Sequence, residues 1–283
     1  MDLQKKIIWL ASYPKSGNTW FRAFLSALMN NGEVDINQME KIMFSSRQIF
    51  TNHTDLNSTY LTDKEAKITQ PLMYNHLAAS YKQERFYVKV HDAYTFSHLN
   101  QPIIPTESTF CAIYFVRNPL DIAGSLANHS SITIDHAVKR LADDDYAIFN
   151  QNNNLNTDSQ FRQFISNWSF HVESWTLRPP FPVFTVRYED MLINTFDTFK
   201  QLMQHIDPGK YNDNELLKAI EASSFSSLKK QEQEQGFGER FSAKNQAFFR
   251  QGEMNGWEHE LAASQVEYIT QKHHSVMKRY QYL

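Results

Sequence analysis

The 283-residue chain carries 28 Lys and Arg against 31 Asp and Glu, a net charge of -3, so nothing general draws it to nucleic acid or an anionic membrane. Any anion site must therefore be built locally, and 41% hydrophobic with 14% aromatic residues is enough for a sizeable core. Cys111 is the only cysteine, which excludes an internal disulfide and a cysteine-rich metal site and fits a reducing compartment.

The apolar segment Ile7–Leu10 is too short, and too near Met1, for a signal peptide or a membrane span, and no later run approaches the length a bilayer needs. A cytoplasmic protein is expected. In chain order, "IIWLASY", "RFYVKVH", "TFCAIYFVR" and "FPVFTVRY" read as buried parallel strands, short and rich in β-branched and aromatic residues. After the first, "NTWFRAFLSALMN" places Trp20, Phe21, Phe24, Leu25 and Leu28 on one helix face. After the third, "NPLDIAGSLANH" opens with Asn118 as a cap and Pro119 at the first helical position. After the fourth, "EDMLINTFDTFKQLMQHI" is again amphipathic.

This alternation predicts an α/β fold in three layers, a central parallel sheet with helices on both faces. A single domain over residues 1–283 is expected, with no repeat and no linker. "DDDYAIFNQNNNLNTDSQ" and "KKQEQEQGFGERFSAKNQ" read as exposed loops.

The segment "LASYPKSGNTWF" follows the first strand and opens a helix. A Walker loop carries its lysine directly after the second glycine. Here Asn18 and Thr19 follow Gly17, while Lys15 precedes it. Loop and helix N–H groups at a strand's carboxyl end suit an anion, with Lys15 adding charge and Thr19 a hydroxyl. A solvated βα turn is the alternative when S-G-N-T stands alone.

The longer Y-P-K-S-G-N-T-W resembles the 5′-phosphosulfate loop of sulfotransferases that use 3′-phosphoadenosine 5′-phosphosulfate (PAPS). "YFVRNPLDIAGSLANH", with Arg117 at a strand end and Ser125 eight residues on, is similar to that family's 3′-phosphate segment. For Arg117 alone, a salt bridge with Asp121 is the competing reading. "FFRQGEMNGW" resembles the family's R-K-G-x-x-G-D-W loop, with Arg250, Gly252 and Trp257 in register; the family lysine is Gln251 here, and its G-D pair reads Asn255-Gly256. "VRYEDML" and "ASSFSSLKK" look like the family's adenine segments, which puts Tyr188, Ser223 and Phe225 at the base. "NWSFHVESW" also looks like a family helix, with Trp168, His171 and Trp175 assigned to packing.

Alternation in "RFYVKVHDAY" sets Phe86, Val88 and Val90 on one face and Tyr87, Lys89 and His91 on the other. This is similar to the family's K-x-H, whose histidine is the general base. The resemblance, from Ile7 to about Trp257, implies sulfuryl transfer from PAPS to a hydroxyl by in-line displacement, releasing adenosine 3′,5′-bisphosphate (PAP). It implies catalytic roles for His91, Lys89 and Lys15, and nucleotide contacts from Lys15, Ser16, Gly17, Asn18, Thr19, Trp20, Arg117, Ser125, Tyr188, Ser223, Phe225, Arg250, Gln251 and Gly252.

No metal is expected: the third strand ends in Arg117 and not in a magnesium-binding aspartate, and the His273–His274 pair lacks metal-ligand spacing. A P-loop kinase acting on a small molecule is the alternative, disfavoured by Asn18 in the Walker lysine position. The acceptor is a small-molecule, sugar or lipid-linked hydroxyl, its pocket expected from residues 43–81, 143–154 and 231–249. The family's dimer motif is replaced by "EHELAASQVE", so no dimer through that contact is expected.

Overall fold

A computed structural model describes residues 5–39, 42–149, 160–239, 247–250 and 252–283. The first strand, β1 (Ile7–Ser12), is buried along its whole length and leads into α1 (Asn18–Met29). Helices α2 (Arg47–Thr54) and α3 (Asp63–Ser80) precede β2 (Phe86–Val90). Then come β3 (Thr109–Val116), α4 (Pro119–Ser130), α5 (Ile134–Ala142), β4 (Ala147–Ile148), β5 (Gln163–Phe164) and α6 (Trp168–Leu177). The chain ends with β6 (Val183–Arg187), α7 (Tyr188–Ile193), α8 (Thr195–Ile206), α9 (Asp213–Ala222), α10 (Phe225–Gln235), α11 (Trp257–Glu260) and α12 (Ala263–Arg279).

The fold is α/β: a four-stranded parallel sheet in the order β2-β1-β3-β6, flanked by helices. In the β1–β2 pair Ile7 stands opposite Phe86 and Ala11 opposite Val90. All four expected strands are present, each within a residue or two of its expected ends. Asn118 caps α4 as expected, its Oδ1 accepting from the Leu120 N–H at 3.0 Å, with Pro119 at the first helical position.

Two compact units share the chain, each assembled from three segments. One comprises Met1–Tyr13, Lys41–Tyr114 and Asp143–Thr185; the other comprises Pro14–Glu40, Phe115–Ala142 and Val186–Leu283. The core of the first centres on Trp9, which packs edge-on against Phe44 and Tyr74 and donates its indole N–H to Thr109 Oγ1 at 2.8 Å. In the second, Phe21, Phe24, Phe115 and Phe199 cluster, with Phe24 and Phe199 centroids 4.4 Å apart.

Three local expectations need correction. The stretch after β6 is two helices, broken at Asn194, whose backbone (φ -127, ψ 52) leaves the helical region. The polar run from Lys229 is helical as far as Gln235. Leu228 and Glu232, four residues apart, both turn inward, and Glu232 is buried because it accepts the N–H groups of Phe248 and Phe249 at 2.7 and 2.9 Å. Ala147–Ile148 pairs antiparallel with Gln163–Phe164, so the acidic run at 143 opens onto a short hairpin and not a plain loop. Residues 150–159 and 240–246 of those two stretches lie outside the described residues.

Candidate active site

The loop between β1 and α1 belongs to the second unit from Pro14 onward. Lys15 (φ 73) and Gly17 (φ 102) both take left-handed backbone, and α1 starts directly after Gly17. Gly17 is obligatory on two grounds. Its φ suits only glycine, and an added Cβ would lie 2.8 Å from Cδ2 of Tyr188. The first turn of α1 holds no acidic residue, and no side chain caps it. Its N–H groups and the positive end of the helix dipole therefore favour an anion. Ser16 is buried, and its Oγ has no hydrogen-bond partner among the described residues. Asn18 is buried; Thr19 and Trp20 are half-buried.

Arg117 ties this loop to a second one. One Nη donates to the Lys15 carbonyl at 3.2 Å and the other to the Glu253 carbonyl at 3.3 Å, while the guanidinium lies 4.3 Å from the Tyr188 ring centroid. Among the described residues Arg117 has no carboxylate partner. Asp121, the partner proposed for it from sequence, instead accepts the N–H groups of Asn255 and Trp257 at 3.1 and 3.2 Å. That pins the Arg250–Trp257 loop to the first turn of α4.

Gly252 (φ 67) and Asn255 (φ 62) shape the loop, and Phe225 fills the space a Cβ at Gly252 would need. Arg250 is held by both oxygens of Glu260, at 2.7 and 3.0 Å. Its guanidinium lies against Gly124, the neighbour of Ser125, and Ser125 is half-buried on α4. Gln251 lies outside the described residues.

The aromatics expected at the base are close-packed. Trp20 meets Tyr188 and Phe199 edge-on at 6.1 and 5.6 Å, and Phe225 meets Phe249 at 6.3 Å. Tyr188 is buried, and burial raises the pKa of its hydroxyl. Ser223 is fully buried and donates to the Ala219 carbonyl at 2.8 Å. The Lys15 ammonium lies 3.6 Å from the centroid of Phe248.

Lys89 and His91 belong to the first unit. The backbone of Lys89 is tied to the segment beside it: its N–H donates to Ile42 O and its carbonyl accepts from Phe44 N, both at 2.9 Å. His91 follows the end of β2, and its Nδ1 lies 2.8 Å from the carbonyl of Ser12. A carbonyl only accepts, so Nδ1 carries the proton and the ring's lone pair is on Nε2. The carbonyl of His91 in turn accepts from Nε2 of His171 at 2.9 Å, and Nδ1 of His171 accepts from the Tyr114 hydroxyl at 2.8 Å. Burial pushes the pKa of His171 down to about 4, so this ring is neutral at physiological pH.

Sequence reasoning gave His171 only a packing role. Its polar part became visible only once α6 brought it against the carbonyl of His91. Glu232 and Glu260 were missed because each falls in a stretch read for something else, an exposed loop and a lost dimer motif. Within residues 43–81, expected to contribute to an acceptor pocket, Phe44, Phe50, Met73 and Tyr74 are buried. No group of His, Cys, Asp and Glu suited to a metal ion occurs among the described residues, and none of their helices is long and apolar enough to cross a membrane.

The profile of the sulfotransferase domain matches residues 5–281. The chain is 24% identical over 272 residues to cytosolic sulfotransferase 12 of Arabidopsis thaliana, covering 93% of this chain and 74% of that protein. It is 23% identical over 234 residues to the dog (Canis lupus familiaris) sulfotransferase 1B1, covering 78% and 66%. Among solved structures, retinol dehydratase in complex with retinol and PAP superposes with a TM-score of 0.62 at 16% identity, covering 98% of this chain and 83% of that one. Mouse sulfotransferase SULT7A1 complexed with PAP gives 0.59 at 18%, covering 100% and 90%. A phosphosulfate-type loop, an arginine bridging it to a second glycine-bearing loop, and a family match across nearly the whole chain agree: this chain belongs to the sulfotransferase domain family.

Proposed function

We propose that the protein transfers a sulfuryl group from PAPS to the hydroxyl of a small-molecule acceptor, with His91 as the general base. The observation that carries this reading is Arg117. Its guanidinium joins the Lys15 and Glu253 loops through two neutral carbonyls and has no carboxylate partner among the described residues. A positive fork hydrogen-bonded to two neutral carbonyls, beside an uncapped helix N-terminus, fits a nucleotide carrying a phosphate at each end.

The residues present fit such a nucleotide. The loop Lys15–Thr19 would hold the 5′ end, where Gly17 lets the Tyr188 ring pack close to the loop backbone and Ser16 has an unused buried hydroxyl. Arg117, Ser125 and Arg250 would hold the 3′-phosphate. Trp20, Tyr188, Phe225 and Ser223 would border the base, Ser223 through its helix end because its hydroxyl is turned inward. When bound, PAPS supplies an activated sulfuryl group with a phosphate as leaving group.

What the chain supplies is positioning, charge and a proton acceptor. His91 is held in the tautomer whose lone pair is on Nε2, the form that accepts the acceptor hydroxyl's proton as the bond to sulfur forms. Lys15 and Lys89 would offset negative charge on the leaving phosphate. Retinol dehydratase is known in complex with retinol and with androsterone, which supports a small-molecule acceptor for this scaffold. The single cysteine supports a cytoplasmic location.

Thermal unfolding with PAP against ATP–magnesium tests the reading. At about a hundredfold excess over Kd, PAP should add about 2.7 kcal/mol of apparent stability, a rise of roughly 5–10 °C in Tm. A larger rise with ATP–magnesium overturns the proposal in favour of a kinase.

A further inference from the structure

We propose that Glu260 is an internal competitor for the nucleotide's 3′-phosphate. Its carboxylate occupies Arg250 and sets how strongly this protein prefers nucleotides that carry that phosphate. The inference rests on the nucleotide reading above and concerns residues of the second unit alone.

Glu260 meets Arg250 as a two-point fork, Nη1 to Oε1 at 2.7 Å and Nη2 to Oε2 at 3.0 Å. This is the geometry in which a guanidinium also receives a phosphate, so the two anions call on the same donors. The pair is well shielded, with 30% and 19% of the two side chains exposed. Gly124 makes the seat possible. Glu260 lies so close to the α4 backbone that a Cβ at this position would collide with its carboxylate. The segment Phe248–Glu260 carries one arginine, Arg250, against Glu253, Glu258 and Glu260, and the residue after Arg250 is the neutral Gln251. A segment built only to clamp a phosphate would not carry that balance of charge. Arg117, whose hydrogen bonds go to two carbonyls, is then the cation that no carboxylate engages as a fork.

The test is calorimetric titration of PAP, and of adenosine 5′-phosphate, which lacks the 3′ group, into wild type, Glu260→Gln and Gly124→Ala. Glu260→Gln removes the charge. Gly124→Ala keeps the charge and pushes the carboxylate off its seat, which guards against a variant that fails to fold. Each should bind PAP roughly three- to tenfold more tightly, the scale of a part-buried ion pair, with adenosine 5′-phosphate unchanged within about twofold. Weaker PAP binding in Glu260→Gln would make Glu260 a brace for Arg250 and overturn the inference, as would unchanged PAP affinity in both variants. Wild type that binds no PAP at all overturns the nucleotide reading, and this inference with it.

Discussion

Nδ1 of His91 sits 2.8 Å from the carbonyl oxygen of Ser12, the last residue of β1. That contact fixes the histidine's tautomer from the main chain of the neighbouring strand, where no side-chain substitution removes it. The loop that leads into α1 begins at the next residue, Tyr13. His91→Ala should therefore lower the turnover of labelled PAPS by about 10²–10⁴-fold, the usual worth of a positioned general base. PAP affinity, read by calorimetry, should stay within about threefold, because no nucleotide donor is removed. Parallel loss of both would make His91 structural.

The chain Tyr114–His171–His91 carries a pH signature. The pKa of His171 is pushed down to about 4 by burial, while in the unfolded chain it takes an ordinary value near 6.5. Between those values the unfolded state binds a proton that the native state does not. Stability from this group is complete above about pH 6.5 and is lost as pH falls toward 4, on the order of 3 kcal/mol across the window. Chemical denaturation at stepped pH should show this slope, and His171→Gln should flatten it. An unchanged slope would mean that the ring is not buried neutral in solution.

How far the sequence carried depends on what kind of information each feature needs. Strand β1 is six consecutive buried residues, and Asn118-Pro119 is a local helix start, so both were readable from neighbours in sequence. The Gly17 and Gly252 loops were readable through their resemblance to family motifs, and both glycines take left-handed backbone with an aromatic ring packed against them. Glu232 was not, because a carboxylate in a polar helix announces nothing until the N–H groups of Phe248 and Phe249 arrive from sixteen and seventeen residues away. Glu260 and His171 are of the same kind. Their partners, Arg250 and the carbonyl of His91, are set by tertiary packing, which no local pattern encodes.

Gly17→Ala and Gly252→Ala test the two loops. Each forces a side chain into left-handed backbone and into an aromatic ring, Tyr188 in the first case and Phe225 in the second. The backbone strain alone is about 1–3 kcal/mol. Both variants should lose a few degrees of Tm and bind PAP at least about tenfold more weakly, since the loops must shift to relieve the clash. Full PAP affinity in either would show that its loop is not part of the nucleotide site.

Arg117 offers the sharpest division between charge and shape. Arg117→Ala removes a cation and the bridge between the Lys15 and Glu253 carbonyls, while Arg117→Lys keeps the cation and loses the two-armed bridge. Hydrogen bonds to charged groups are worth about 1.5–3 kcal/mol, so Arg117→Ala should weaken PAP by roughly 10–100-fold. Because a lysine is a point charge and not a planar fork, Arg117→Lys should recover only part of that loss. The recovered part should shrink as salt is raised, since what remains is screened charge. Calorimetry of both variants at two ionic strengths measures this directly. Complete rescue by lysine would mean that the bridge between the loops contributes nothing, and that the positive charge alone accounts for the role of Arg117.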